Sequence, residues 1–485
     1  MEEGLLLNKG EVKGGLKWSA IKEEIGTVIL IAGPLVAVIM SQNLLQVISM
    51  MMVGHLGELF LSSTALVFSL AAVTGFSFLQ GMASALETLS GQAYGAKQYK
   101  KLGTQTFTGI FCLFLLCIPI TILWINMEKV LVFLGQDPLI SHEAGKFSTC
   151  LVPTLFGYAV LQSLIRYFQV QSLIMPMVIS SCITMCLHIP ICWVLVFKSG
   201  LQNLGAAVAM SISTWVNVII LSLYIKFSSS CEATRSPLSM EVFRGIGEFF
   251  RFGAPSATMI CLEWWSYEML VLLSGLLPHP ELETSVLSVC LMTISTLYAI
   301  PFGVGSAAST RVANELGAGN SQQARTAACS VMVIAAVNGL ILSSILLAAR
   351  RVFGYTFSND KDVVDYVTSM APLLCLSIMI NGLQGVLSGI TRGCGWQDIG
   401  AFVNLAAYYL FGIPIAAILS FWLQMRGRGL WIGVLCGSTI QSLLLAIITC
   451  STNWENQANK TRERLSKSNI TVGDEANIDE QRLLA

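Results

Sequence analysis

Charged residues are scarce in this chain. Only 12% of its 485 residues are Asp, Glu, Lys or Arg, whereas 54% are hydrophobic. A soluble domain usually carries about 25% charged residues, so this composition excludes an ordinary soluble protein. The 28 basic and 28 acidic residues cancel, and nothing in that balance suggests binding to nucleic acid.

The sequence also lacks the signature motifs of several protein classes. It has no GxxxxGK[ST] loop, so we expect no nucleotide binding and no ATP-driven transport by this chain alone. It has no TVGYG filter, which argues against a potassium channel. HExxH and GxSxG are missing too, so an enzyme has no support. A carrier driven by an ion gradient is therefore the leading class.

The 14 cysteines lie mostly within apolar runs, and they imply no disulfide framework. Cys182, Cys186, His188 and Cys192 are residue types that bind metals, but on a helix they spread over more than one face. We interpret the cysteines as small packing residues. We expect no metal ion and no other cofactor.

Hydrophobic segments long enough to cross a bilayer are abundant. A helical span needs about 20 mainly apolar residues. The candidate segments centre near Ala37, Ala71, Phe114, Leu155, Met185, Asn217, Leu262, Leu291, Ala336, Met379, Tyr409 and Leu443. The sequence therefore predicts an all-α, multi-pass protein of the lipid bilayer with twelve transmembrane helices.

The second half of the chain repeats the first. Residues 84–98 read SALETLSGQAYGAKQ, and residues 306–320 read SAASTRVANELGAGN, with shared residues 222 positions apart. Six spans fall in each half, and an even number makes the two repeats parallel. This organisation is typical of a transporter with a substrate site between its halves. We expect the glycine-rich loop of each repeat to hold the inner end of its own lobe.

Basic residues predict the orientation in the membrane. With both termini cytoplasmic, about 20 of the 28 Lys and Arg lie on the inner side, in line with the positive-inside rule. Residues 453–485 are charged and show no apolar period, so we expect a flexible tail there. The predicted units are a cytoplasmic tail (1–24), a six-helix lobe (25–228), a cytoplasmic linker (229–248), a second six-helix lobe (249–452) and a cytoplasmic tail (453–485).

Two carboxylates stand out because they fall inside the seventh span. Glu263 and Glu268 lie in CLEWWSYEML, where a charge costs at least ~2.5–3.5 kcal/mol. Five residues apart on a helix, they point about 140° away from each other. Burial favours the neutral form of a carboxyl group, so the deeper Glu263 can bind and release a proton. A permanent hydrogen bond to another helix is the alternative, and it is the preferred interpretation for Glu268.

The repeat sharpens the case for Glu263. At an offset of 221 positions, Asn43 and Gln46 correspond to Trp264 and Tyr267, and an amide also replaces Glu263 in the first half. A carboxylate that only held the bundle together would be expected in both halves. Its presence in one half confines the predicted proton coupling to the C-terminal lobe.

The tenth span offers partners for this carboxylate. Asn381 and Gln384 are three residues apart and lie on one face, and Gln162 matches Gln384 in the first repeat. An amide can donate to a carboxylate or accept from a carboxylic acid. We therefore expect Asn381 to contact Glu263, although a purely structural hydrogen bond is an equal alternative.

Aromatic and small residues complete the predicted cavity. Aromatic faces can contact an organic solute or attract a cation. The predicted substrate-lining residues are Asn43, Gln46, Gln162, Trp264, Tyr267, Tyr298 and Gln384. Gly81, Gly303, Gly305 and Gly389 would permit close approach of helices. Arg311 and Arg392 are expected to meet helix C-termini or lipid headgroups.

Six segments together resemble a known family. They are SMMMVGHLGEL, GMASALETLSGQAYGAKQY, CLEWWSYE, LSGLLPHPELETSVLS, STRVANELGAGN and VLSGITRGCGWQ. In this order they resemble the multidrug and toxic compound extrusion family, particularly its plant-type members, from about Ile25 to Cys450. The resemblance implies a V-shaped, alternating-access exporter of organic compounds that exchanges them for protons or, less commonly in plant-type members, sodium.

The resemblance also bears on single residues. In the family, the acidic residue of the CLEWW segment is implicated in cation coupling, and here that residue is Glu263. The family frequently has a second carboxylate in the tenth span, where this chain has Asn381. This departure leaves Glu263 as the main titrating candidate.

The function predicted from the sequence is a proton-coupled antiporter of cationic or polyphenolic compounds. A flippase for lipid-linked saccharides is the alternative among transporters, and it would need a strongly cationic cavity. A channel or transceptor, with Glu263 in a structural or gating role, is the alternative from another class. The membrane is the tonoplast or the plasma membrane, and acidic-dileucine patterns at 2–7 and 479–484 slightly favour the tonoplast.

Overall fold

The computed structural model describes residues 18–237, 239–356 and 361–466, and both dileucine patterns lie outside these ranges. Within the described residues there is no β-strand, and twelve long helices follow one another along the chain. They are α1 (Trp18–Gly54), α2 (Glu58–Gly95), α3 (Tyr99–Ile125), α4 (Pro138–Val170), α5 (Met175–Phe197), α6 (Asn203–Phe227), α7 (Ile246–Ser274), α8 (Pro280–Ala318), α9 (Ser321–Phe353), α10 (Lys361–Cys394), α11 (Gln397–Trp422) and α12 (Arg426–Ser451).

Among the described residues, eleven of these helices are long and apolar enough to cross a membrane. The remaining predicted span is α7, the seventh along the chain. It has 29 residues and is therefore about 43 Å long. That length exceeds the ~30 Å hydrocarbon thickness of a bilayer. Helix α7 is more polar than the other eleven helices because Glu263 and Glu268 lie within it.

Three apolar clusters hold the helices together. One lies mainly within α1–α6, includes the edge-to-face pair Phe68 and Phe147, and extends to Phe249 of α7. Another lies within α7–α12 around Met370 and Trp431. A third joins the two lobes and includes Val312 of α8. The lobes meet at this third cluster and separate around a cavity lined by both, which gives the predicted V shape.

Small residues permit close approach of helices, as predicted, and two of these contacts join the lobes. A Cβ atom added to Gly81 would lie 2.5 Å from the Cα of Ala257 on α7. A Cβ atom added to Gly303 would lie 2.5 Å from Cγ2 of Val36 on α1. Val36 and Ala257 are separated by 221 positions, the register predicted for this part of the repeat. The sequence duplication therefore appears as a pair of equivalent contacts between the lobes.

The two glycine-rich loops make a second equivalent pair of contacts. Gly95 packs against the Asn314 carbonyl group, and Gly317 packs against that of Gln92. Both glycines and both carbonyl residues are related by the offset of 222 positions. Each loop thus crosses to the opposite lobe. The expectation that each loop holds its own lobe is wrong, because the glycine at the contact in each loop has no side chain to keep the opposite backbone away.

The segments outside the spans are more ordered than the sequence suggests. Helix α1 already includes residues 18–24 of the predicted tail. The predicted linker contains a short helix, Glu241–Arg244, and Thr108 of α3 donates a 3.0 Å hydrogen bond to the Val242 carbonyl group. Helix α7 begins at Ile246, within the predicted linker.

The start of the predicted C-terminal tail is a packed helix over residues 454–466. Its buried residues, Trp454, Ala458, Thr461 and Leu465, recur at helical spacing. Arg464 bonds to Gln92 of the first lobe, and its guanidinium group lies 4.7 Å from the ring of Phe252 in the second lobe. Our interpretation that these residues lack an apolar period is therefore wrong. The period is hard to recognise in the sequence because two of the four buried positions are small or polar.

Candidate functional site

Glu263 lies where three helices of the second lobe meet. Its side chain is 8% exposed. The Tyr298 hydroxyl of α8 donates to Oε1 over 3.0 Å, and Nε2 of Gln384 on α10 donates to Oε2 over 2.7 Å. A buried ionised carboxylate is tolerable only when such donors replace its water. The site therefore accommodates Glu263 in its charged form.

Tyr298 stands between two acceptors. Its hydroxyl lies 3.0 Å from Oε1 of Glu263 and 3.3 Å from Oε1 of Gln384. A phenol has one hydrogen to donate, so it can satisfy only one of these two oxygens fully. If Glu263 gains a proton, the Tyr298 hydroxyl is able to accept from the acid and donate to Gln384 instead.

Asn381 does not contact Glu263, contrary to our expectation. Its Nδ2 donates to the Tyr267 hydroxyl over 3.0 Å. Asn381 and Gln384 do share a face of α10, but Gln384 is almost one turn nearer the carboxylate. The Oδ1 atom of Asn381 is buried without a hydrogen-bond partner in the described structure. Asn381 thus bonds to Tyr267, which lies one turn beyond Glu263 on α7.

A small cavity of about 70 Å³ opens beside this carboxylate. Glu268, which is exposed, lies on its wall together with Glu263. Both carboxylates predicted for proton coupling therefore share one space, even though they point in different directions from α7. The lining residues are Glu263, Trp264, Tyr267, Glu268, Leu291, Ile294, Ser295, Tyr298 and Asn381.

A larger cavity of about 290 Å³ lies between the lobes. Asn43 and Gln46 line it from the first lobe, and Trp264 and Tyr298 line it from the second. Trp264 and Tyr298 meet edge to face, with ring centroids 6.4 Å apart. Among the described residues that line this cavity there is no Lys or Arg, whereas Glu268 is present.

Two predicted lining residues lie behind the cavity surface. Gln162 is 4% exposed and Gln384 is 1% exposed. Neither is among the described residues that line the two cavities. Gln384 instead supports the carboxylate from behind.

Sequence reasoning missed a second group of buried charges, at the end where the lobes meet. Glu87 of α2 lies 3.0 Å from Nη1 of Arg166 on α4 and 3.0 Å from Nε of Arg392 on α10. All three side chains are at most 4% exposed. The repeat held a signal for this group, because Ser309 occupies the place of Glu87 in the second half. A carboxylate in one half only is the same pattern that singled out Glu263.

The expected surroundings of the two arginines are therefore wrong. Arg392 lies in the last turn of α10, but its side chain is buried against Glu87 instead of meeting a headgroup or a helix C-terminus. Arg311 forms ion pairs with Glu24 of α1 at 2.7 Å and with Glu315 at 3.0 Å. Each arginine pairs with a carboxylate that is distant in the sequence and that only folding brings close, namely Glu24 for Arg311 and Glu87 for Arg392.

No group of metal-binding side chains forms within the described residues. His188 illustrates the reason. Its ring nitrogens lie 3.1 Å from the Ser49 hydroxyl and 2.8 Å from that of Ser213. Both nitrogens are thus engaged in hydrogen bonds inside the first lobe.

Comparisons with known proteins agree with this architecture. The MatE family model matches residues 34–194 and again residues 255–418, one match in each lobe. Protein DETOXIFICATION 12 of Arabidopsis thaliana is 58% identical over 454 residues, which cover 93% of this chain and 94% of that protein. Protein DETOXIFICATION 14 of the same plant is 61% identical over 435 residues, 90% of each chain.

Solved structures give the same result. The crystal structure of the eukaryotic MATE transporter AtDTX14 superposes with a TM-score of 0.88 at 60% identity, covering 92% of this chain and 99% of that one. An outward-facing multidrug resistance MATE transporter of the MOP superfamily matches with a TM-score of 0.79 at 14% identity, which supports the fold alone. It covers 93% of this chain and 100% of that one.

Family, fold and site thus agree on the class of protein. The family matches and the twelve-helix, two-lobe architecture are those of a secondary transporter, not of an enzyme. The chain belongs to the MatE family of multidrug efflux transporters for small organic compounds.

Proposed function

We propose that this protein is a proton-coupled antiporter that exports organic compounds from the cytoplasm, with Glu263 as the coupling carboxylate. The observation that carries the proposal is the position of Glu263, buried on the wall of a cavity and held by Tyr298 and Gln384. Glu268 shares this cavity and is the second coupling candidate, and Asn381 acts through Tyr267. The energy source is a proton gradient rather than sodium or a bound cofactor.

Proton binding would change the hydrogen bonds at this site. When Glu263 is ionised, Tyr298 and Gln384 both donate to it. When a proton arrives through the small cavity, Glu263 becomes a donor, and the Tyr298 hydroxyl is able to turn toward Gln384. Because these residues lie on α7, α8 and α10, the exchange alters the contacts among three helices. Only a difference in affinity between the two states can couple this change to release of substrate.

The larger cavity supports a choice of substrate class. Its aromatic walls, its amides and the Glu268 carboxylate suit an amphiphilic cation, and a polyphenol could use the same aromatic faces and amides. A flippase for anionic, lipid-linked saccharides would need cationic side chains there, and the lining described above has none. We place the protein in the tonoplast or plasma membrane, with the cavity facing the acidic side.

The test is transport of a fluorescent organic cation into proteoliposomes, driven by a pH gradient. We would compare the wild-type protein with Glu263→Gln and with the matched variant Glu268→Gln. Loss of gradient-driven transport in Glu263→Gln, with cation binding retained in detergent, is the expected result. Wild-type transport by Glu263→Gln would exclude it as the coupling group.

The same vesicles distinguish the alternatives. Counterflow, in which unlabelled cation inside accelerates uptake of labelled cation, is expected of a carrier and not of a channel. A sodium gradient that drives transport without a pH gradient would refute proton coupling. Transport of a lipid-linked saccharide in place of the cation would favour the flippase.

A further inference from the structure

Six charged side chains are buried within the described residues, namely Glu87, Arg166, Glu263, Glu283, Glu315 and Arg392. Two of them have local roles. Glu283 lies in the first turn of α8 and accepts from the Tyr366 hydroxyl and the Gly427 amide over 2.8 and 3.0 Å. Glu315 pairs with Arg311, which is 21% exposed and therefore reached by water. The remaining four are two carboxylates and two guanidinium groups.

These four residues are connected through α10. Gln384 of this helix bonds to Glu263, and Arg392 of the same helix bonds to Glu87 of the opposite lobe. Eight residues of helix separate the two attachment points, which corresponds to about 12 Å. One rigid element thus joins the proposed proton site to the contact between the lobes.

The Glu87 group is part of the closed contact between the lobes. Arg166 donates to Gln169 over 2.7 Å, and Gln169 donates to the Ser306 carbonyl and the Thr310 hydroxyl of α8 over 3.0 Å each. The Thr88 hydroxyl donates in turn to the Arg392 carbonyl group. Opening this end of the molecule must break the bonds of Gln169 to α8 and of Thr88 and Glu87 to Arg392, and it admits water to the arginines.

Arg392 is the charged partner of Glu263 among the groups that surround it. The other ionisable groups around the carboxylate are phenols, which are neutral near pH 7, and Glu268, which shares its cavity and is exposed. Arg392 lies about two turns of α10 beyond Gln384, the donor to Glu263, and Gln441 of α12 contributes an uncharged amide. The surrounding groups are Tyr267 on α7, Tyr298 on α8, Arg392 on α10, Tyr408 on α11 and Gln441 on α12.

We infer that Arg392 transmits the charge state of Glu263 to the contact between the lobes. With Glu263 ionised, the four connected side chains carry two negative and two positive charges. With Glu263 protonated, one positive charge remains uncompensated, and this favours opening and hydration of the predicted cytoplasmic end. The inference rests on the proposed function, since it takes Glu263 as the group that gains the proton.

The direction of this effect fits antiport. A proton that enters from the cavity side opens the opposite side, where it can leave to the cytoplasm. The expected size follows from Coulomb's law. The rise of about 12 Å between the two attachment points on α10 sets the scale of the separation, and two unit charges that far apart, in an effective dielectric constant of about 20, shift an equilibrium by about tenfold.

Hydrogen–deuterium exchange of the full chain in nanodiscs tests this inference. Peptides that cover residues 84–98 and 306–320 report the contact between the lobes. In the wild type, their protection factors should fall about tenfold from high to low pH. In Glu263→Gln they should be low at both pH values, because the charge is permanently absent.

The decisive variants remove one positive charge as well. The double variant Glu263→Gln/Arg392→Gln should regain the protection of the wild type at high pH, because the buried charges balance again. Glu263→Gln/Arg392→Lys keeps the positive charge and should stay open. If Arg392 is only a tether, the Arg392→Gln double variant will be less protected than Glu263→Gln, and the inference is wrong.

A second double variant provides a check in case the first does not fold. Glu263→Gln/Arg166→Gln removes a different positive charge and should also regain protection. Peptides from α5 and α11 report whether the fold is intact. If Glu263→Gln abolishes coupled transport but neither double variant recloses, the proposed function stands and this inference fails. If Glu263→Gln transports normally, the proposed function itself fails.

Discussion

The Tyr298 hydroxyl lies 3.0 Å from Oε1 of Glu263. It joins α8 to α7 at the point where a proton is proposed to bind. A hydrogen bond to an ionised group contributes about 1.5–3 kcal/mol. The phenol therefore favours the charged form of the carboxylate over the neutral one.

Replacing Tyr298 by Phe removes this donor and keeps the ring. Without the donor the ionised form is less stable, so Glu263 should take up its proton at a higher pH. The pH midpoint of gradient-driven transport is expected to rise by about 1–2 units. Tyr408→Phe is the matched control, because the Tyr408 hydroxyl pairs with Ser438 and not with the carboxylate. An unchanged or lower midpoint in Tyr298→Phe would contradict this role.

Gln384 and Asn381 offer a second comparison on one helix. Gln384→Leu leaves Oε2 of Glu263 without its 2.7 Å donor, whereas Asn381→Leu leaves both hydrogen bonds of the carboxylate in place. We expect the pH midpoint of transport to rise by about 1–2 units in the first variant and to move little in the second. Equal shifts in the pH profile would show that the two amides act together.

Gly317→Ala tests the close contact between the lobes. The added methyl group would collide with the Gln92 carbonyl group, and such overpacking costs about 1–3 kcal/mol. The melting temperature of the purified protein should fall. Gly33→Ala is the control, because nothing lies within 4 Å of its added carbon and alanine favours a helix. A stable Gly317→Ala protein would mean that the lobes tolerate a wider separation.

Truncation tests the C-terminal helix. Removing residues 454–485 deletes the buried side chains of Trp454 and Leu465 and the contacts of Arg464 with both lobes. We expect lower yield and a lower melting temperature. Removing only residues 467–485 spares all these contacts and should leave the melting temperature unchanged. Equal losses in both truncations would place the stabilising contacts beyond residue 466.

Much of the fold was accessible from the sequence because membranes impose simple rules. Each span must satisfy its backbone within itself, so long apolar segments predict helices directly. The constant offset between Gly81 and Gly303 predicted two equivalent lobes, and the contacts with Ala257 and Val36 confirm it. Glu263 was identifiable because a carboxylate in an apolar segment is rare.

Other features depended on the folded chain. Asn381 and Gln384 have similar chemistry and lie on one face of α10. The axial offset between α10 and α7 decides which of the two bonds to Glu263. No local sequence pattern encodes that offset. The C-terminal helix was not predicted because alanine and threonine occupy half of its buried positions. From the sequence, such residues look the same whether buried or exposed, and only the surface packed against them makes the difference.

The sequence by itself determined the spans, the duplication, the family and the carboxylates inside the seventh span, since each depends on composition or spacing along the chain. The tertiary structure alone decided the partners of the charges. Glu87, Arg166 and Arg392 come from three helices and two lobes. Their attraction depends on separation in space, which the packing of the helices sets, and not on separation along the chain.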